Sequence, residues 1–219
     1  MRTHAVFLRL EGRLCVVVGG DEIATDKVEC CLAALARVTV VAPALTPTLE
    51  RHRAEGRIMH LARAYRDGDL QGAIVAYASE RDAGVIAALR AEAERERVLL
   101  NVVDVPDACT FYAPAVVARG DLQIAIGTGG ASPGLAAALR RDLEARVGPE
   151  YAPYVAILGA VRQSLPGGVR TAVMARLIDS ELLALVRRGE RGAIDALLQG
   201  LAGDGCTLGG LGVALGGEG

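Results

Sequence analysis

Short unbroken apolar runs alternate with stretches whose apolar residues return every third or fourth position. Leu14 to Val18 is such a run, rich in β-branched residues, and it stops at Gly19-Gly20. Ile23, Val28, Cys31, Leu32 and Leu35 then mark one face of a helix from Glu22 to Ala36, and Val38 to Ala42 is a second buried strand. The same logic predicts a lead-in strand at Phe7 to Leu10, a helix at Pro47 to Glu55, a strand at Ile58 to Leu61 and a brief helical link at Asp67 to Gln71. It also predicts a strand at Ala73 to Ala78, a helix at Asp82 to Arg97 and a strand at Val98 to Val103. Strands alternating with helices at these intervals build an α/β fold, a doubly wound parallel sheet covered on both faces, over 1–113.

The rhythm changes at Pro114. Pro114 to Ala118 and Leu122 to Ile126 flank the turn Arg119-Gly120-Asp121 and read as a hairpin, followed by a helix from Gly134 to Arg146. Beyond Gly148-Pro149 the pattern is helical throughout: Tyr151 to Ser164, Val169 to Ile178, Ser180 to Arg188 and Ala193 to Leu201. The expected organisation is therefore 1–113, 114–147, a helical 148–202, and a glycine-rich, flexible tail at 203–219.

Of the 219 residues, 52% are hydrophobic, and the formal net charge is −2. No basic surplus is present to attract nucleic acid or an anionic membrane surface. The charged N-terminus lacks the apolar core of a signal sequence, and no stretch is long enough to span a bilayer, so a cytoplasmic location is expected. Five cysteines without a C-x-x-C pair, among them adjacent Cys30 and Cys31, read as buried free thiols. His4, His52 and His60 share no metal-ligand spacing and are expected at the surface or rim; no metal site is predicted. The charge run from Arg90 to Arg97 reads as a solvated helix face.

Two edges of the predicted sheet carry chemistry. A strand ending in Gly19-Gly20 ahead of a helix presents backbone N–H groups suited to a pyrophosphate, with Ala24 in the last position of a G-x-G-x-x-G/A pattern. Asp21 stands where the second glycine of that pattern belongs, adding bulk and like charge. Ala42-Pro43 replaces the acidic residue that commonly holds a ribose. Asp104 ends a predicted strand at the ligand-binding edge, where it either acts on a ligand or caps a turn ahead of Pro106. Gly127 to Ser132 offers backbone donors and two hydroxyls to a carboxylate-bearing ligand, and Ser132-Pro133 also fits a helix cap.

Leu10-Glu11-Gly12-Arg13 before Val-Val-Gly-Gly, Val38 to Pro43, Asn101-Val102-Val103-Asp104 and Gly129 to Pro133, in this order, resemble the precorrin-2 dehydrogenase family. That family includes stand-alone sirohydrochlorin-forming enzymes and the N-terminal part of siroheme synthase; the likeness covers about Phe7 to Leu165. The resemblance implies a Rossmann-type domain, a small α+β dimerisation region at 114–147, a helical C-terminal domain and a homodimer. It implies NAD-dependent oxidation of precorrin-2 to sirohydrochlorin, and in some members insertion of Fe2+ or Co2+. It places the catalytic role on Asp104. The cofactor side falls on Gly19, Gly20, Glu22, Ile23, Pro43, Ala44, Ala78 and Ser79, and the tetrapyrrole side on Asn101, Thr128, Gly129, Gly130 and Ser132. Departures from the family pattern are Asp21, Asp26 and Leu35, the last at a position often held by glycine. The two carboxylates oppose a pyrophosphate, leaving open a metallochelatase or tetrapyrrole-binding relative without NAD-dependent activity.

Overall fold

A computed structural model describes residues 3–215. Five parallel strands carry the first unit: β1 (Leu14–Val18), β2 (Arg37–Val41), β3 (Ile58–Leu61), β4 (Val75–Ala78) and β5 (Leu99–Val102), in spatial order β3-β2-β1-β4-β5. Helices α1 (Glu22–Ala33), α2 (Pro47–Ala54) and α3 (Ala83–Glu96) supply three of the crossovers. Because every pair is parallel, the loops after all five strands emerge at one edge. The order reverses between β1 and β4, which makes the crevice between their loops the topological switch point of the sheet.

Two apolar clusters sandwich the sheet, as alternation along strands buried on both faces requires. Cys15, Val17, Val38 and Val40 pack with Val28 and Cys31 of α1, while Val16, Val18, Ala76 and Leu100 pack with Leu89 and Ala93 of α3. Leu35, just past α1, adopts φ 57°, the left-handed geometry that glycine favours after a helix.

The connection from β3 to β4 has no helix. Residues 67–71, expected as a helical link, form turns instead, and their buried backbone needs acceptors from outside the segment. Glu92 provides them. It is fully buried on α3, accepts from Gly68 N and Leu70 N at 2.9 Å each, and takes the Tyr65 hydroxyl as well. Burial, and then this carboxylate, push the Tyr65 hydroxyl far above its ordinary range, so it stays a donor. The expectation of a solvated Arg90 to Arg97 face therefore fails at its centre. Asp69 adds a bidentate pair to Arg63, at 2.6 and 2.7 Å, closing the same loop.

Histidine 52 also departs from the surface expectation. It is 2% exposed, and because the Arg57 guanidinium can only donate, the Nδ1 it meets at 3.0 Å must accept. The Nε2–H then donates to Glu29 Oε1 at 2.6 Å, tying α2 to α1. His60 is half-buried against the Ala42 carbonyl, and His4 is exposed. Of the cysteines, Cys15, Cys31 and Cys206 are buried, Cys109 is half-buried and Cys30 is exposed, because Cys30 lies one position off the inward face of α1. Phe7 to Leu10 is not a strand: among the described residues no strand pairs with it, and Phe7 is 67% exposed.

The second unit, 114–219, opens with an antiparallel hairpin of β6 (Ala115–Arg119) and β7 (Leu122–Ile126). Helix α4 (Pro133–Arg146) follows, and Arg119 bonds its last carbonyls, with Nε 2.9 Å from Val147 O. Helices α5 (Tyr151–Ser164), α6 (Gly167–Ile178), α7 (Leu182–Arg188) and α8 (Arg191–Ala202) enclose a core of Ile157, Val161, Leu177, Leu182, Ile194 and Leu198. The flexible tail expected from 203 is corrected for 203–215: Cys206, Leu208 and Leu215 are buried in this core, and Leu208 N donates to Asp195 Oδ1 at 2.6 Å. Spaced apolar residues among glycines suffice to anchor a turn-rich segment. Residues 216–219 lie outside the described residues.

Replacing Glu92 by Ala leaves three donors without their acceptor and is expected to destabilise the protein by about 3 kcal/mol. A lower urea midpoint at unchanged m-value, followed by circular dichroism, checks this. Glu92→Gln, which keeps an acceptor oxygen, should lose less.

Candidate functional site

At the switch point, Gly19 takes φ 122° and its N–H donates to Val41 O at 3.0 Å, turning the chain sharply off β1. Gly20 is obligatory for a different reason: a Cβ there would sit 2.0 Å from the Ala44 carbonyl oxygen. The backbone turn is thus a cradle of the kind that lets phosphates approach a helix N-terminus. Pro43 and Ala44 form its exposed wall after β2, and Thr46 N closes the wall against Gly20 O at 3.1 Å.

Asp21 occupies the mouth of the cradle. As N-cap of α1 it accepts from Ala24 N at 2.8 Å, and its other oxygen accepts from Ser79 Oγ at 2.5 Å. Ser79 lies in the loop after β4, so this carboxylate spans the crevice between the β1 and β4 loops. Partial burial alone would raise its pKa, but the Ser79 hydroxyl and the Ala24 N–H outweigh it and hold the group below the usual carboxylate range. Glu22 and Ile23 form the first turn of α1 behind it, and Ala78 is buried at the end of β4. The cradle fits a dinucleotide's pyrophosphate by shape; Asp21 holds donors that such a phosphate would use.

On the other side of β4, Asp104 ends the β5 edge, its side chain 67% exposed. Its φ is 60°. The other two non-glycine residues with positive φ among those described, Leu35 and Arg97, sit at helix C-termini, where that geometry is ordinary. Asp104 has no helix to terminate; it is the third residue of the turn that Val105 N closes onto Val102 O at 3.2 Å, a position where aspartate tolerates positive φ, so it shapes the turn ahead of Pro106 while its carboxylate stays exposed. Arg81, in the β4 loop, faces it with an N–O distance of 3.5 Å. The sequence reading passed over Arg81. Its signal was there, a lone cation two residues after Ser79 at the ligand edge.

Asn101 is corrected. It is 8% exposed and its amide donates to Phe111 O at 3.0 Å, with Cys109 Sγ beyond, so it ties β5 to the segment that follows and not to a ligand. In the second unit, Gly129 and Gly130 take φ 61° and 82°, and Thr128 Oγ1 accepts from Ser132 N at 3.1 Å. Ser132 caps α4 through Leu135 N at 3.2 Å. Both hydroxyls act there as acceptors, which leaves each O–H free to donate. Among the described residues, no cluster of three or more His, Cys, Asp or Glu side chains could hold a metal ion, and no helix is long and apolar enough to cross a membrane.

An NAD(P)-binding family model matches residues 6–115, and the model of the sirohaem biosynthesis protein central region matches 119–146. The siroheme synthase of Methylobacillus flagellatus is 40% identical over 177 residues, covering 81% of this chain and 38% of the relative. That of Gluconacetobacter diazotrophicus is 37% identical over 206 residues, 88% of this chain and 44% of the relative. The chain thus spans about two fifths of the length of these relatives. Among solved structures, SirC, a precorrin-2 dehydrogenase, matches with a TM-score of 0.70 at 25% identity, over 91% of this chain and 98% of that one. The same Rossmann-like sheet, small antiparallel sheet and C-terminal helices recur there. With one model filling half of the chain and the second following it in order, the chain belongs to the family of precorrin-2 dehydrogenases and siroheme synthases.

Proposed function

We propose that this protein is an NAD-dependent precorrin-2 dehydrogenase producing sirohydrochlorin. The observation that carries this is Asp104, an exposed carboxylate in the turn after β5, at the same sheet edge as the glycine cradle and two strands from β1. The oxidation removes one hydride and one proton from the macrocycle. NAD, when bound, supplies the hydride acceptor. Asp104 takes the proton, a task for a carboxylate that reaches the ligand without first being unburied. The cradle of Gly19 and Gly20, the Glu22-Ile23 turn, the Pro43-Ala44 wall and the Ala78-Ser79 loop hold the dinucleotide. Thr128, Gly129, Gly130 and Ser132 offer O–H and N–H donors to the acidic arms of the tetrapyrrole. The unpaired thiols and the soluble cofactor fit a cytoplasmic enzyme.

A specific observation favours a second reading, a metallochelatase that inserts Fe2+ or Co2+ as a substrate without oxidation: the Asp21 bridge already engages the cofactor donors. Asp104 would then accept a pyrrole proton. The partner we propose is a second copy of the chain. Leu135 and Leu139, 52% and 42% exposed, lie one turn apart on α4, and Val116 is 39% exposed on the neighbouring hairpin. That strip of large apolar residues and the two-stranded sheet are both incomplete by themselves.

Anaerobic turnover of precorrin-2 with NAD, read as NADH absorbance, is the primary test; no turnover at millimolar cofactor would overturn the dehydrogenase reading. Asp104→Ala should lower kcat about a hundredfold while NAD affinity holds. Asp21→Gly should tighten NAD about tenfold in a calorimetric titration, since a like charge beside the phosphates contributes on the order of 1 kcal/mol even in wet surroundings. With its pKa depressed, Asp21 stays ionised until the pH falls below the ordinary carboxylate range. Wild-type affinity should accordingly stay flat from neutral to mildly acidic pH, and only substitution should reveal the charge. Leu135→Glu together with Leu139→Glu should convert a dimer to a monomer by light scattering.

A further inference from the structure

We propose that Arg81 is a substrate-binding residue, its guanidinium taking an ionised carboxylate arm of the macrocycle and thereby setting the ring against Asp104. This deepens the dehydrogenase reading and rests on it. The loop from β4 to α3 is built around this side chain. Ser79 Oγ is engaged by Asp21 at 2.5 Å. Glu80 Oε1 folds back to accept from the backbone N–H groups of Arg81 and Asp82 at 2.7 and 3.0 Å. Asp82 caps α3 through Val85 N at 2.9 Å. Every neighbouring polar side chain is thus committed to holding the loop, and the Arg81 side chain is left 69% exposed.

Among the described residues, the one polar contact of its guanidinium is the 3.5 Å approach to Asp104 Oδ2. Between two groups so exposed, such a pair contributes little to folding. The guanidinium keeps most of its five donors for a ligand, in a fork that matches a carboxylate. Charge makes the residue necessary. The loops following β1, β2, β4 and β5 carry Asp21, Glu80, Asp82, Asp104 and Asp107, and Arg81 is the one cation in them. A polycarboxylate macrocycle approaching Asp104 meets repulsion from every charged side chain of these loops except this one.

The test compares Arg81→Ala, Arg81→Gln and Arg81→Lys with the wild type at saturating NAD, varying precorrin-2. Arg81→Ala and Arg81→Gln should raise KM for the macrocycle about tenfold, the loss of a charge-assisted contact, with kcat within about threefold. NAD affinity should hold, and thermal unfolding should stay unchanged. Arg81→Lys should recover part of the loss, because it keeps the charge without the fork. Raising salt should weaken wild-type KM more than that of Arg81→Ala. An unchanged KM overturns the proposal. So does a fall in kcat at constant KM with a displaced acid limb of the pH profile, which would make Arg81 only a positioner of Asp104. If the wild type itself shows no turnover, the dehydrogenase reading fails separately. Titration of sirohydrochlorin by its visible absorbance then decides for Arg81: weaker binding to Arg81→Ala supports it, and equal binding overturns it.

Discussion

The Asp21 carboxylate, held between Ala24 N and Ser79 Oγ, governs how the ligand edge of this sheet is arranged. A helix N-terminus carries N–H groups with no partner inside the helix, and a glycine turn beside a parallel strand usually leaves them to water or to a phosphate. Here the chain supplies its own anion. The same side chain joins the two loops that diverge at the switch point, beside the Ser79 N–H that donates to Val18 O at 2.8 Å. Arg81 lies two residues further along that loop and approaches Asp104 at 3.5 Å.

Hydrogen bonding and charge separate at this point. If a phosphate oxygen of a dinucleotide took over Ala24 N and Ser79 Oγ under the proposed reading, one acceptor would be exchanged for another at little net cost in bonds. What does not exchange away is the negative charge, which moves aside but stays near. Gly20 shows that the cradle itself has been kept, because the Ala44 carbonyl excludes any side chain there. At Asp21 the departure from the family pattern adds a charge and a side chain at the mouth of a backbone turn that is otherwise kept.

Much of the fold was legible because the strands and helices of a doubly wound sheet impose their periods on the residues that face the core. The runs Leu14 to Val18 and Leu122 to Ile126, and the helix Tyr151 to Ser164, can be bounded from pattern alone. The failures share one cause: they concern residues whose partners are remote in sequence. Glu92 looks like one charge in a charged run until the loop of Gly68 and Leu70 comes to lie on α3. His52 is buried because Glu29 and Arg57 satisfy both ring nitrogens. Residues 203–215 are held by three apolar side chains and Asp195 in spite of their glycines. At the site, strand ends located the cradle and Asp104, but position along a strand does not say whether a polar side chain looks to the ligand or to its own chain. Asn101 looks inward.

Under the proposed reading, oxidation and metal insertion would make the same demand on Asp104, since each ends with a proton leaving the macrocycle for a nearby base. That residue, by its presence, cannot tell the two chemistries apart. They differ at the other loop, where only oxidation requires an anionic cofactor to enter the crevice. An Asp at the mouth of the crevice taxes one reaction and leaves the other untouched. Under that reading a single charge at Asp21 would set the balance of activities, with Asp104 and the sheet that carries it left as they are.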